Sequence, residues 1–152
     1  MFSFKCVIVG DKGVGKTSLI RRLYNGEFNN EYLPTIGHEL IPLTFNTTYG
    51  KIIFDVYDIS DQTRINDVNC AIIMFNPNSI DTISEYYMNI KRMYPTIPIV
   101  LCANRYNGKS PKIKDYIMFD INPKLNYNID KPFIWFARKL LDKEDLHFID
   151  EI

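Results

Sequence analysis

A glycine-rich stretch near the start of the chain carries the residue types that bind nucleotide phosphates. Residues 10–17 read Gly-Asp-Lys-Gly-Val-Gly-Lys-Thr and fit the pattern G-x-x-x-x-G-K-[ST]. Glycines allow consecutive backbone N–H groups to point at phosphate oxygens, and Lys16 supplies a mobile positive charge for the β- and γ-phosphates. The Thr17 hydroxyl is placed to bind Mg²⁺. The stretch therefore predicts a phosphate site with a metal beside it. Its candidate residues are Asp11, Lys12, Gly13, Val14, Gly15, Lys16, Thr17 and Ser18.

Three further polar residues fit the same chemistry. Thr35 lies in a polar segment after the first predicted helix, where a γ-phosphate sensor and second Mg²⁺ ligand would sit. Asp58 ends a predicted strand, so it can hold the metal, and Gln62 follows at the spacing that lets it orient an attacking water. The predicted metal ligands are thus Thr17, Thr35 and Asp58. Gln62 and Lys16 are the catalytic candidates. A phosphate loop alone also suits a kinase or an ATPase, and the added set favours a GTPase.

Strands that alternate with helices must position these residues. Apolar runs predict strands at 4–9, 51–57, 70–75, 97–103 and 116–121, together with a weaker edge strand at 39–45 that contains Pro42. Helical spacing predicts helices at 17–25, 81–94 and 132–141. In the second of these, the stripe that includes Tyr86 is interpreted as core packing. The pattern indicates an α/β fold of three layers.

Composition excludes several classes of protein. The chain has 152 residues, 46% of them hydrophobic, so we expect one globular domain over residues 1–152. A formal net charge of +0 gives no support to nucleic-acid or anionic-membrane binding. No apolar run reaches membrane-spanning length, and we expect no signal peptide. Cys6, Cys70 and Cys102 lie in apolar runs, which predicts buried, reduced thiols. We expect a soluble cytoplasmic or nuclear protein.

The chain resembles the small GTPases over nearly its whole length, and within them the Ran type. The stretches that carry this resemblance are residues 4–11, 26–28, 70–75, 97–104 and 126–140. The resemblance implies a six-stranded, mostly parallel sheet with one antiparallel edge strand. It also implies GTP or GDP as ligand, Mg²⁺ as cofactor, switch loops that reorganise on hydrolysis, and transport receptors of the importin and exportin type as partners.

The resemblance also assigns residues around the base. Phe28 would stack on it, Thr35 would be the threonine of the first switch, and Asn104 would contact the guanine. The nucleotide-binding residues that it adds to the phosphate loop are Phe28, Thr35, Asn104, Arg105, Asn107, Asn122, Pro123 and Lys124.

Four positions depart from the family pattern. Asn107 stands where the family has an Asp that accepts two hydrogen bonds from guanine, and an amide cannot reproduce that charged contact. Pro123 removes a backbone N–H. Asp61 replaces the glycine whose N–H meets the γ-phosphate. Lys12 replaces a glycine of the phosphate loop, where its side chain either crowds the attacking water, which we favour, or reaches the γ-phosphate as a built-in cation.

Two connections are shorter than in the Ran type. Residues 58–69 and 104–115 offer about a dozen residues each, which a parallel crossover needs merely to return along the sheet. Both connecting helices are therefore predicted to be shortened or lost. Either loops and bulky aromatic side chains fill the space, or an apolar patch remains exposed for a partner or a second copy.

The sequence favours a Ran-like GTP/GDP-binding protein with slow or impaired hydrolysis, with a link to nucleocytoplasmic transport implied by the resemblance. The alternative is a pseudo-GTPase interaction module that binds transport receptors or another partner independently of nucleotide. A nucleoside kinase is disfavoured, because the chain shows no acceptor-substrate lid.

Overall fold

A computed structural model describes residues 1–25, 40–59, 64–104, 113 and 115–149. The strands of this part of the chain are β1 (Phe2–Val9), β2 (Leu40–Thr47), β3 (Gly50–Asp58), β4 (Cys70–Phe75), β5 (Ile99–Asn104) and β6 (Ile117–Ile121). The helices are α1 (Lys16–Asn25), α2 (Ile83–Met93), which follows a 3₁₀ turn at Ile80–Thr82, and α3 (Lys131–Leu141). All six strands and all three helices predicted from the sequence are present, with boundaries shifted by a few residues.

The six strands form one sheet in the order β2-β3-β1-β4-β5-β6. β1 pairs in parallel with both β3 and β4, and the parallel pairing continues through β5 to β6. β2 alone runs antiparallel, beside β3 at the edge of the sheet. Pro42 is tolerated there because an edge strand can leave one side unpaired. The predicted mostly parallel sheet with one antiparallel edge strand is confirmed.

Strand alternation divides the core between the two faces of the sheet. In β1, Cys6 and Ile8 join the buried cluster that contains residues of α1 and α3. Val7 and Val9 point to the opposite face, where the buried cluster includes Ile83 and Ile90 of α2. This two-sided packing explains why β4 is apolar along its whole length and why all six of its residues are buried.

The face beneath α2 is covered by loops and aromatic side chains as well as by the helix. The described part of the connection between β3 and β4 contains no helix, and the connection between β5 and β6 lies mostly outside the described residues. Val68 is buried against this face, and Ile65, Tyr87 and Tyr116 are partly buried there. The buried strand side chains of this face are at most 9% exposed, and Tyr57, Ile99 and Met118 are partly buried. Of the two alternatives for this face, the structure favours filling over an exposed patch.

All three cysteines are buried and free, as predicted. Burial raises the pKa of the Cys70 and Cys102 thiols, which keeps both groups protonated. None of the helices in the described ranges combines the length and the apolarity needed to cross a membrane.

Candidate functional site

The phosphate loop leaves the end of β1 at the edge of the sheet where the parallel strands end. Gly10 has a φ of 153°, and a Cβ at this position would collide with the Met74 carbonyl oxygen of β4. Gly15 has a φ of 102°, and a Cβ there would collide with the side-chain amide of Asn104. Both glycines are therefore required by a positive φ and by close packing on the neighbouring strands. The result is a tightly curled backbone directly before α1.

Lys16 begins α1 and folds back over the loop. Its Nζ donates to the Gly10 carbonyl at 2.5 Å and lies 3.4 Å from the Asp11 carbonyl. These bonds hold the ammonium above the concave side of the loop, in the cleft that the loop lines. An ammonium has three N–H donors, so one remains for a ligand when both carbonyls are engaged. This geometry places the positive charge of Lys16 where it can bind an anion in the cleft.

Thr17 and Asp58 place two oxygen ligands side by side. The Thr17 hydroxyl donates to Asp58 Oδ2 at 3.5 Å. Asp58 ends β3 opposite Ile8 of β1, and the N–H of Ile59 donates to the Ile8 carbonyl at 3.1 Å. The parallel register therefore brings the carboxylate to the start of α1. A hydroxyl and a carboxylate are hard ligands that suit Mg²⁺, which is usually bound through one or two carboxylates together with substrate phosphates.

The Asp11 carboxylate is bound by two hydroxyls from the region of α2. Tyr86 donates to Asp11 Oδ1 at 2.9 Å, and Thr82 donates to Asp11 Oδ2 at 3.0 Å. Burial, followed by the hydrogen bond to Asp11, raises the pKa of Tyr86 to about 12. The predicted core packing of Tyr86 is confirmed, because its ring packs against the cluster beneath α2, but sequence reasoning missed the contact of its hydroxyl with Asp11. The available signal was the four-residue spacing of Thr82 and Tyr86, which puts two hydroxyls on one side of a helical segment.

These residues enclose an open cleft of about 810 Å³. Its lining residues are Gly10, Asp11, Lys12, Gly13, Gly15, Lys16, Thr17, Ser18, Asp58 and Tyr86. The volume lies in the range of small-molecule sites. The donor set, which combines a curled backbone, a lysine and a hydroxyl–carboxylate pair, fits a nucleotide polyphosphate with its Mg²⁺.

Asn104 connects the cleft to the sheet. It ends β5, is only 3% exposed, and its Nδ2 donates to the Val14 carbonyl at 2.9 Å. Its Oδ1 is buried and has no hydrogen-bond partner among the residues that the structure describes. A buried acceptor of this kind requires a donor. Val14 itself is buried at 1% exposure and contributes packing to the loop, while Ser18 lines the cleft.

Comparison with protein families agrees with this geometry. The family described as Ras of Complex, Roc, domain of DAPkinase matches residues 5–107, more than half of the chain. This chain belongs to the Roc family of Ras-like GTPases. The matched part of this Roc domain contains the phosphate loop, Asp58 and Asn104. Membership identifies a GTP-binding domain of the Ras superfamily, and the family implies Mg²⁺ as its cofactor.

The second predicted base-contacting segment of the Roc domain lies beyond β6. Asn122 and Tyr127 close a turn through two backbone hydrogen bonds of 2.9 Å. Asn122 Oδ1 accepts from the N–H of Leu125 at 3.2 Å, Pro123 is buried, and Lys124 is exposed. Asn104 is the register partner of Ile121, so this turn begins at the same edge of the sheet. Asn122, Pro123 and Lys124 thus lie at the same edge of the sheet as the phosphate loop, but they do not line the cleft described above.

The remaining predicted residues lie outside the described part of the chain. They are Phe28, Thr35, Gln62, Arg105 and Asn107, together with Asp61. Of the predicted set, the structure brings together the phosphate-loop residues and Asp58, with Asn104 behind them.

Proposed function

We propose that this Roc-family domain is a Ran-type member that binds GTP and GDP with Mg²⁺ and hydrolyses GTP slowly. The observation that supports this most is the position of Lys16, whose ammonium is held over the phosphate loop beside the Thr17–Asp58 pair. A complete set of phosphate and metal ligands is the feature that a nucleotide switch needs.

In this proposal each residue has a separate task. The loop backbone and Lys16 bind the phosphates, and the lysine balances charge that develops during transfer. Thr17 and Asp58, together with Thr35, hold Mg²⁺, which when bound neutralises the β- and γ-phosphate oxygens. Gln62 orients the attacking water. Asn104 fixes the loop through Val14, and its buried Oδ1, which has no partner within the described residues, is the acceptor that we propose for the base.

Slow hydrolysis follows from the residue types around the γ-phosphate. Lys12 lines the cleft and is exposed, so its side chain competes for the space of the attacking water. Asp61 places a negative charge where the family has a glycine. Each change opposes the positioning on which phosphoryl transfer depends. We also propose a weakened preference for guanine, because Asn107 offers one uncharged acceptor in place of a carboxylate.

The proposed link to nucleocytoplasmic transport rests on the resemblance of residues 126–140 to the Ran type. Residues 131–141 form α3, whose Phe133 and Phe136 are fully buried. This segment therefore contributes to the core. Transport receptors as partners are proposed from the resemblance alone.

Titration of nucleotide-stripped protein with GTP, GDP, XTP and ATP in the presence of Mg²⁺ tests the proposal. Isothermal titration calorimetry gives Kd, and chromatography of the products gives turnover. Lys16→Ala removes charge-assisted bonds worth about 1.5–3 kcal/mol, so affinity should fall about 10- to 150-fold. Lys51→Ala is the matched control, because Lys51 is an exposed lysine at the opposite end of β3; its affinity should equal that of the wild type.

Guanine-nucleotide binding with turnover below the intrinsic rate of Ras, about 3–5 × 10⁻⁴ s⁻¹, would support nucleotide binding with slow hydrolysis. Binding with rapid turnover would refute slow hydrolysis alone. If no nucleotide binds to the folded wild type, the nucleotide-switch proposal is wrong, and the alternative of a nucleotide-independent interaction module takes its place.

A further inference from the structure

One residue of the phosphate loop is held by an element far away in the chain. Asp11 lines the cleft, and its two carboxylate oxygens accept hydrogen bonds from Tyr86 and Thr82. The Asp11–Tyr86 pair is separated by 75 residues, and the Asp11–Thr82 pair by 71. The loop is therefore attached through this carboxylate to the start of α2. Neither contact was apparent from the phosphate-loop pattern.

The two donors are not equivalent. The Thr82 hydroxyl also lies 2.9 Å from the Ser79 carbonyl, so it has two acceptors for its single proton. Within the described residues the Tyr86 hydroxyl has hydrogen-bond geometry with Asp11 alone. Its pKa of about 12 keeps it protonated throughout the physiological range. Tyr86 is thus the dedicated donor to Asp11.

A carboxylate in a phosphate-binding cleft opposes the binding of an anion unless hydrogen bonds hold the carboxylate or orient it away from the ligand. Asp11 shares the cleft with Lys12 and Lys16, whose positive charges suit the phosphates. A carboxylate that is free to turn into the cleft would compete for these cations and would repel the ligand. Hydrogen bonds from two hydroxyls fix its orientation toward α2 and disperse its charge.

We propose that Tyr86 is a positioning residue of the nucleotide site, which holds the Asp11 carboxylate toward α2 so that the cleft accepts a triphosphate. This inference rests on the proposed nucleotide binding. It predicts that loss of the Tyr86 hydroxyl weakens the triphosphate more than the diphosphate. The reason is that repulsion from a released carboxylate increases with the negative charge of the ligand.

Coulomb's law gives the size of this effect. The carboxylate is charged both in the wild type and in Tyr86→Phe, so the effect comes from its displacement. Moving it from about 8 Å to about 5 Å from one additional ligand charge, at an effective dielectric constant of about 40, changes affinity about three-fold. A merely structural loosening of the loop would weaken both ligands by the same factor. The ratio of the two affinities therefore separates the charge effect from a loss of packing.

The experiment compares Kd for GDP and for a non-hydrolysable GTP analogue in Mg²⁺ by calorimetry. Tyr86→Phe keeps the ring and should shift the affinity ratio about three-fold against the triphosphate. Tyr87→Phe is the matched control, because Tyr87 is the next residue of α2 and packs edge-to-face on Tyr116; its ratio should equal that of the wild type. The ratio in the double variant Asp11→Asn/Tyr86→Phe should equal that in Asp11→Asn alone, because neither protein has the carboxylate.

The outcomes are distinguishable. A shifted ratio that Asp11→Asn abolishes supports the inference. An unchanged ratio in Tyr86→Phe, or a shift that persists without the carboxylate, overturns it while nucleotide binding itself stands. If the wild type binds neither ligand, the proposed function fails, and the inference fails with it. Should Tyr86→Phe not fold, Thr82→Val is used, which should move the ratio in the same direction by a smaller factor; no shift in that variant overturns the inference.

Discussion

Tyr94, which follows α2, binds the backbone of the connection between β3 and β4 at Ile65. The Tyr94 hydroxyl accepts a hydrogen bond from the Ile65 N–H and donates one to the Ile65 carbonyl, both at 2.9 Å. Tyr94 is 7% exposed. The described residues of this connection form no helix, so their backbone groups need partners of this kind. We therefore predict that Tyr94→Phe destabilises the protein measurably, although it removes one oxygen atom.

The magnitude follows from the two bonds. A hydrogen bond contributes about 1 kcal/mol net, so the loss of both should lower the free energy of unfolding by about 2 kcal/mol. For a domain of this size that corresponds to a Tm about 4–8 °C lower. The ring remains in place, so the packing of Tyr94 on the core and the position of the Arg64 guanidinium 5.9 Å from the ring centroid should be preserved.

Urea denaturation of the wild type, Tyr94→Phe and Tyr87→Phe measures the effect, and hydrogen exchange reports on the Ile65 amide directly. The amide should lose protection in Tyr94→Phe and keep it in the control. The reasoning is refuted if the two variants unfold within about 0.5 kcal/mol of each other, or if exchange at Ile65 is unchanged. Either result would mean that water or another part of the connection satisfies these backbone groups.

Two further predictions concern the metal ligands and the stability at acidic pH. Thr17→Ala should reduce the gain in nucleotide affinity on adding Mg²⁺ about ten-fold, whereas Thr17→Ser should retain it because the hydroxyl persists; equal Mg²⁺ dependence in both variants would contradict the metal role. The hydrogen bond from Tyr49 holds the pKa of the Asp145 carboxyl below its usual value. A depressed pKa stabilises the fold above the unfolded pKa, and this contribution is lost as the pH falls through the folded value. Tyr49→Phe should therefore be less stable than the wild type at pH 7, and their urea midpoints should converge as the pH falls below about 4. A difference that is independent of pH would show that the bond to Asp145 is not its cause.

The sequence alone determined the features that depend on local pattern. Residues 10–17 must curl because glycines occur at fixed spacing, and the apolar runs must be buried strands because they are hydrophobic on both faces. The six strands, the edge position of the strand that contains Pro42 and the start of α1 after the phosphate loop all followed from such short-range rules. So did the inclusion of Asp58, because a carboxylate at the end of a parallel strand lies at the same edge as the loop.

Tertiary structure decided which distant side chains meet. Tyr86 and Ile83 fit the same helical apolar stripe and both pack in the cluster beneath α2, yet the hydroxyl of Tyr86 also reaches the phosphate loop. Likewise, nothing local to Ile65 indicates that Tyr94 satisfies both of its backbone groups. Periodicity assigns a residue to a side of a helix, but the contact that its polar end makes depends on how that helix is placed on the sheet. That placement is a property of the whole packed core.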